Sequence, residues 1–157
     1  PLVRDCSCRG DLVGFAHLSC IVNFAEQKSK LEAEAKFSRA FVKPWESCPN
    51  CKQPYQRQLS LDISSAFVSF AEVTYGHPEN SKWDKIRVIQ SLRSKILKLI
   101  NTVPTLSCQD VGMLKMECET LIKKLLSMVE QIKKDEKMDG WVHMPHTSIE
   151  YKFCNII

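Results

Sequence analysis

The apolar positions of this chain repeat mostly at helical spacing, and the breaks in that spacing mark its elements. From His17 onward Leu18, Ile21, Val22 and Ala25 fall on one helical face, with Phe24 beside them. The string from Lys30 to Lys36 is rich in Ala, Leu, Glu and Lys, all strong helix formers. The pattern predicts a helix running to about Phe37, with Pro44 ending the segment before Trp45. A second helix fits Gln56 to Tyr75, with Leu59, Ile63, Ala66, Phe67 and Phe70 on one face. Gly76, Pro78 and Asn80 interrupt it, and Ser81 is placed to cap the next helix, Lys82 to Ile100. Its apolar positions are Trp83, Ile86, Ile89, Leu92, Ile96 and Leu99, and Pro104 closes the segment. A fourth helix, also long, is predicted from about Gln109 to Lys137. Its residues Val111, Leu114, Cys118, Leu121, Leu125, Met128 and Ile132 alternate by three and four, the seam of antiparallel helix packing or a coiled coil. Gly140 ends it, and the apolar tail from Trp141 to Ile157 resembles the start of a further helix.

The stretch before His17 reads differently. Leu2 to Gly14 is short and punctuated by Gly10 and Gly14, which suits a ligand-bearing loop rather than a regular element. With Cys6, Cys8, His17, Cys20, Cys48 and Cys51 at metal-ligand spacing in the first third, the expected fold class is mainly α: a small zinc-knuckle segment followed by a helical bundle or helical-repeat region. Residues 1–56 form the first unit, with a long helical insertion, and residues 57–157 the second. Ser69 to Gly76 and the following helix with Trp83, with small residues such as Ala66 and Ala71 among aromatics, are similar to tetratricopeptide-type repeats, without a clean internal period.

Composition narrows the function. With 157 residues the chain can bury one modest core. No apolar run reaches the roughly 18 residues needed to span a bilayer. The first residues lack the basic flank and apolar core of a signal peptide. The expected location is intracellular, in the cytoplasm, with no membrane segment in this chain. The net charge of +4 is too small to argue for nucleic acid, and the basic residues, interleaved with acids, read as solvated helix faces. A triad order, a glycine-rich phosphate loop and a His-Glu-x-x-His string are all lacking.

Eight cysteines suit either a secreted disulfide scaffold or a zinc protein. Six donors fall in three close pairs: Cys6 with Cys8, His17 with Cys20, and Cys48 with Cys51. Zinc takes four tetrahedral nitrogen or sulfur ligands, usually as two close pairs from separate stretches. The histidine at ligand spacing and the missing secretion signal favour zinc. The alternatives are disulfides Cys6–Cys48 and Cys8–Cys51, and a His17 hydrogen-bonded at a helix start. Cys118, on an apolar face, is expected to be a small buried hydrophobe.

Cys6-Ser7-Cys8-Arg9-Gly10, Gly14-Phe15-Ala16-His17-Leu18-Ser19-Cys20 and Cys48-Pro49-Asn50-Cys51-Lys52-Gln53-Pro54-Tyr55 together resemble the RING-CH, or RING variant, zinc finger. The resemblance covers roughly residues 4 to 56. The family's first Cys-x2-Cys pair is absent, and the spacer from His17 to Cys48 is long for the family. The family's cross-braced order implies that Cys6, Cys8, Cys48 and Cys51 share one zinc. It implies that His17 and Cys20 belong to a second site whose other ligands would lie upstream. It further implies recruitment of a ubiquitin-conjugating enzyme through Ile21, Phe24 and Pro49, with Lys52 where family members can contact ubiquitin, and with protein substrates selected by the helices. RING-type domains accelerate transfer by holding the charged conjugating enzyme in a reactive pose. The alternative is a non-catalytic interaction protein whose zinc stiffens the amino-terminal end.

Overall fold

The computed structural model describes residues 2–3, 16–33, 39–77, 79–102 and 108–135. Across them run five helices and one short antiparallel ladder. The helices are α1 (Leu18–Glu32), α2 (Arg39–Glu46), α3 (Arg57–Tyr75), α4 (Lys82–Thr102) and α5 (Cys108–Asp135). The ladder joins β1 (Leu2–Val3) to β2 (Ala16–His17), with Leu2 opposite His17 and Val3 opposite Ala16. Leu2 and Val3 of the expected loop thus form a strand, paired with the one immediately before α1. A mainly helical protein is what the apolar spacing required.

Two expectations about the first helices need correction. α1 ends at Glu32 rather than near Phe37. The Ala33 N–H turns back to the Lys30 carbonyl at 3.3 Å, a tightening that closes the last turn. The Ala33 carbonyl accepts from the Arg87 guanidinium of α4. Helix propensity alone would extend the run, but a tertiary donor takes the carbonyl end. Pro44, in turn, does not end a segment: it lies inside α2. A proline there gives up one amide donor. Packing compensates, because Phe41 and Trp45, four residues apart, are both 2% exposed on the buried face.

Two apolar clusters fill the interior, and α3 serves both. The first collects Ala25 of α1, Phe41 and Trp45 of α2, Cys48, Tyr55, and Leu59, Ile63, Phe67 and Phe70 of α3. Trp45 stacks on Phe67 with ring centroids 4.8 Å apart and planes 13° from parallel. The second cluster takes Val68 and Ala71 from the other side of α3, Ile86, Ile89, Leu92 and Ile96 from α4, and Leu125 and Ile132 from α5. Packing is therefore continuous across the junction at residues 56 and 57.

α4 and α5 run antiparallel. Lys85 near the start of α4 pairs with Asp135 at the end of α5, at 2.7 Å, and Lys95 pairs with Glu117 at 2.6 Å. The seam predicted for α5 faces inward: Cys118, Leu125 and Ile132 are buried, and Val111, Leu114, Leu121 and Met128 half-buried. The start of α4 carries the expected cap, with the Asp84 N–H donating to Ser81 Oγ at 3.3 Å. Gly76 follows α3 where an added Cβ would collide with the Glu72 carbonyl.

Candidate metal centre and the adjoining basic cleft

The Cys48–Cys51 pair sits on a tight turn pinned beneath the first core. Ser47 and Pro54 form an antiparallel bridge. The Tyr55 N–H donates to the Glu46 carbonyl at 3.1 Å, the Cys48 N–H to the Gln53 carbonyl at 2.9 Å, and the Lys52 N–H to the Cys48 carbonyl at 3.0 Å. Closing so short a loop forces one residue into left-handed backbone, and Lys52 takes that role with φ 62°. The Lys52 ammonium folds back on the Pro49 carbonyl. Cys48 is buried at 7% exposure, and Cys51 is half-buried against the same cluster as Trp45 and Leu59. Pro49 and Lys52 are exposed at the tip.

The other described pair stands at the entrance to α1. His17 caps that helix with extended backbone (φ −72°, ψ 137°) and makes no side-chain capping bond. Cys20 follows three residues later in the first turn, which places both on one side of the chain; both are exposed. One turn on, Ile21 is half-buried and packs on the first core, while Phe24 is 38% exposed.

Among the described residues no three His, Cys, Asp or Glu side chains gather at one point. His17 and Cys20 are therefore not brought together with Cys48 and Cys51. Cys6 and Cys8 lie outside the described residues, as does Cys154. Cys20, Cys48, Cys51 and Cys118 form no disulfide. The chemistry of the turn fits half of a thiolate zinc site: two sulfur donors three positions apart on a hydrogen-bonded loop, close to the Lys52 charge. Cys118 fits no such role. It is 1% exposed, and burial pushes its thiol up, Glu117 adding to the shift and Lys95 opposing it.

Beside the turn, α2 and α4 leave an open groove. A cleft of about 700 Å3 is bounded by Arg39, Lys43, Lys52 and Lys98, with Glu46 between them. A second cleft of about 440 Å3 continues from it, sharing Arg39 and Glu46 and adding Arg93, Val42 and Leu97. In sequence, Arg39, Lys43, Arg93 and Lys98 read as solvated helix faces, and Lys52 as a partner contact implied by the family resemblance. Their convergence comes from three separate elements, and the only local signal was Arg39 and Lys43 four apart on one helical face.

No family model, curated protein or solved structure matches the chain. The fold itself defines a mainly α-helical protein. No helix among the described residues is long and apolar enough to cross a membrane.

Proposed function

We propose that the amino-terminal third is a zinc-binding module of RING-CH type that supports ubiquitin transfer by recruiting a conjugating enzyme. The helices behind it engage protein substrates. The observation that supports this reading is the closed Cys48–Cys51 turn, with its left-handed residue directly after the second cysteine. A Cys-x-x-Cys turn of this kind can aim two thiolates at one ion. On this reading Cys6 and Cys8 complete a four-thiolate site with Cys48 and Cys51. The zinc would supply structural cross-linking rather than chemistry, tying the amino-terminal loop to the first core. His17 and Cys20 are held for a second ion. Phe24, Pro49 and Lys52 are exposed, as a docking role requires, and Ile21 backs them from the core.

Zinc content measured with a thiol count on the reduced full chain tests the metal. About one equivalent is expected for one complete set of four donors, lost in Cys48→Ser/Cys51→Ser. A stoichiometry near zero removes the module. A ubiquitination assay with a panel of conjugating enzymes then tests the activity.

A second reading is favoured by the second core. α4 and α5 bury their own cluster against α3 without using any ligand residue. On that reading the chain is a non-catalytic interaction protein, and it binds zinc while every ubiquitination reaction stays blank.

A further inference from the structure

We infer that the groove between α2 and α4 binds an extended acidic peptide segment of a partner protein. Among the described residues, five cations line the two joined clefts, Arg39, Lys43, Lys52, Arg93 and Lys98, against the single carboxylate of Glu46. The chain as a whole carries 22 basic and 18 acidic residues, so this imbalance is local.

Lys85, Arg87, Lys95 and Lys124 are held in ion pairs across and along the helices. Arg39, Lys43, Arg93 and Lys98 form no ion pair among the described residues. Arg39, Lys43 and Arg93 are exposed, and Lys98 is half-buried. Holding like charges together around a concavity is unfavourable, and an anionic ligand relieves it.

Val42 and Leu97, both half-buried, lie between the charged rims. A ligand that matches this surface presents carboxylates on its edges and an apolar side chain toward the middle. A peptide with alternating acidic and aliphatic residues does so in extended form. A nucleic acid does not. Among the described residues no aromatic ring lines either cleft, so these residues offer no platform for base stacking. A concave groove beside a turn also gives a duplex nothing that projects into it. The inference uses no metal ligand and does not rest on the zinc reading.

The test is fluorescence anisotropy on the full chain. The probes are a labelled peptide of Glu-Glu-Leu repeats, a poly-Glu peptide of equal charge, and a single-stranded oligonucleotide of equal charge. The Leu-containing peptide is expected to bind tightest, and to weaken as salt is raised. Lys43→Glu/Lys98→Glu is expected to weaken it at least about tenfold, since each reversed charge at short range costs several-fold in affinity. Glu46→Gln, which leaves every cation in place, is expected to tighten it a few-fold. Circular dichroism verifies that the helices persist, and Arg39→Glu serves as a second reversal should the double variant unfold. Equal or tighter binding of the oligonucleotide overturns the inference. So does absent peptide binding, or affinity unmoved by both the reversals and Glu46→Gln.

Discussion

The indole N–H of Trp45 donates to Ser29 Oγ at 2.7 Å. That hydroxyl donates onward to the Phe41 carbonyl at 2.8 Å. Ser29 is fully buried, and its single hydroxyl uses both roles to fasten α1 to α2. The pair explains why a tryptophan beside a proline can stay in a helix: one edge of the ring is hydrogen-bonded while its face stacks on Phe67.

Ser29→Ala leaves the Trp45 donor buried and unsatisfied. The expected loss is about 1–3 kcal/mol, the cost of an orphaned buried polar group. Urea unfolding followed by far-ultraviolet circular dichroism measures it. Ser69→Ala, at an exposed position of α3, is expected to stay within about 0.5 kcal/mol. Equal effects of the two would rule out the buried relay as a source of stability.

Arg87 is the second fastener. It pairs with Asp84 at 2.6 Å, donates to the Ala33 carbonyl, and lies 5.1 Å from the Tyr75 ring and 5.8 Å from the Phe41 ring. A lysine cannot serve a carboxylate and a carbonyl in a planar fork while covering two rings. Arg87→Lys is expected to cost about 1–2 kcal/mol. Amide exchange should quicken first at Lys30 to Ala33, where the end of α1 loses its donor. Uniform quickening across α3 and α4 instead would place the role of Arg87 elsewhere.

Stability should fall in alkali. Burial raises the Cys118 thiol above its ordinary 9.0. It likewise raises the Tyr75 phenol above 10.0, opposed by Arg87 and reinforced by Asp84. Each group keeps its proton in the folded chain at a pH where the unfolded chain has released it. The folded state then binds more protons, so unfolding becomes easier as pH rises. The contribution is whole below the unfolded-state values and disappears as pH climbs through the folded ones. Urea midpoints should be flat near neutrality and drop from about pH 9 upward. Cys118→Ala should remove the earlier part of the drop and leave the tyrosine part.

The left-handed Lys52 gives a prediction of the opposite sign. Lys52→Gly relieves a backbone conformation that costs an L-residue about 1 kcal/mol, offset in part by the freedom glycine gains when unfolded. A small net stabilisation or none is expected, with zinc stoichiometry unchanged. Lys52→Val places a β-branched residue at the same φ and should destabilise by more than about 1 kcal/mol. Should valine be tolerated as well as glycine, the turn is not held in that conformation in solution.

The helices α3, α4 and α5 were legible because each buries a continuous stripe, and a stripe of apolar side chains writes its period into the sequence. Leu59 to Phe70 and Trp83 to Leu99 are such stripes, and the buried face of α5 follows the predicted seam residue by residue. The candidate ligands were legible for another reason: Cys-x-x-Cys and His-x-x-Cys are local spacings. The pairing of Leu2 with His17 was not legible, because a two-residue ladder carries no period.

What the sequence determined by itself is periodic or adjacent: helix faces, caps such as Ser81, and donor pairs within one turn. Tertiary structure alone decided where α1 stops, that Pro44 stays helical, and that Arg39, Lys43, Lys52 and Lys98 surround one groove. Each of those depends on groups far apart in the chain, as with Arg87 reaching Ala33 or Trp45 stacking on Phe67. Local propensities are worth tenths of a kcal/mol per residue, and a buried ring or a buried hydrogen bond outweighs them.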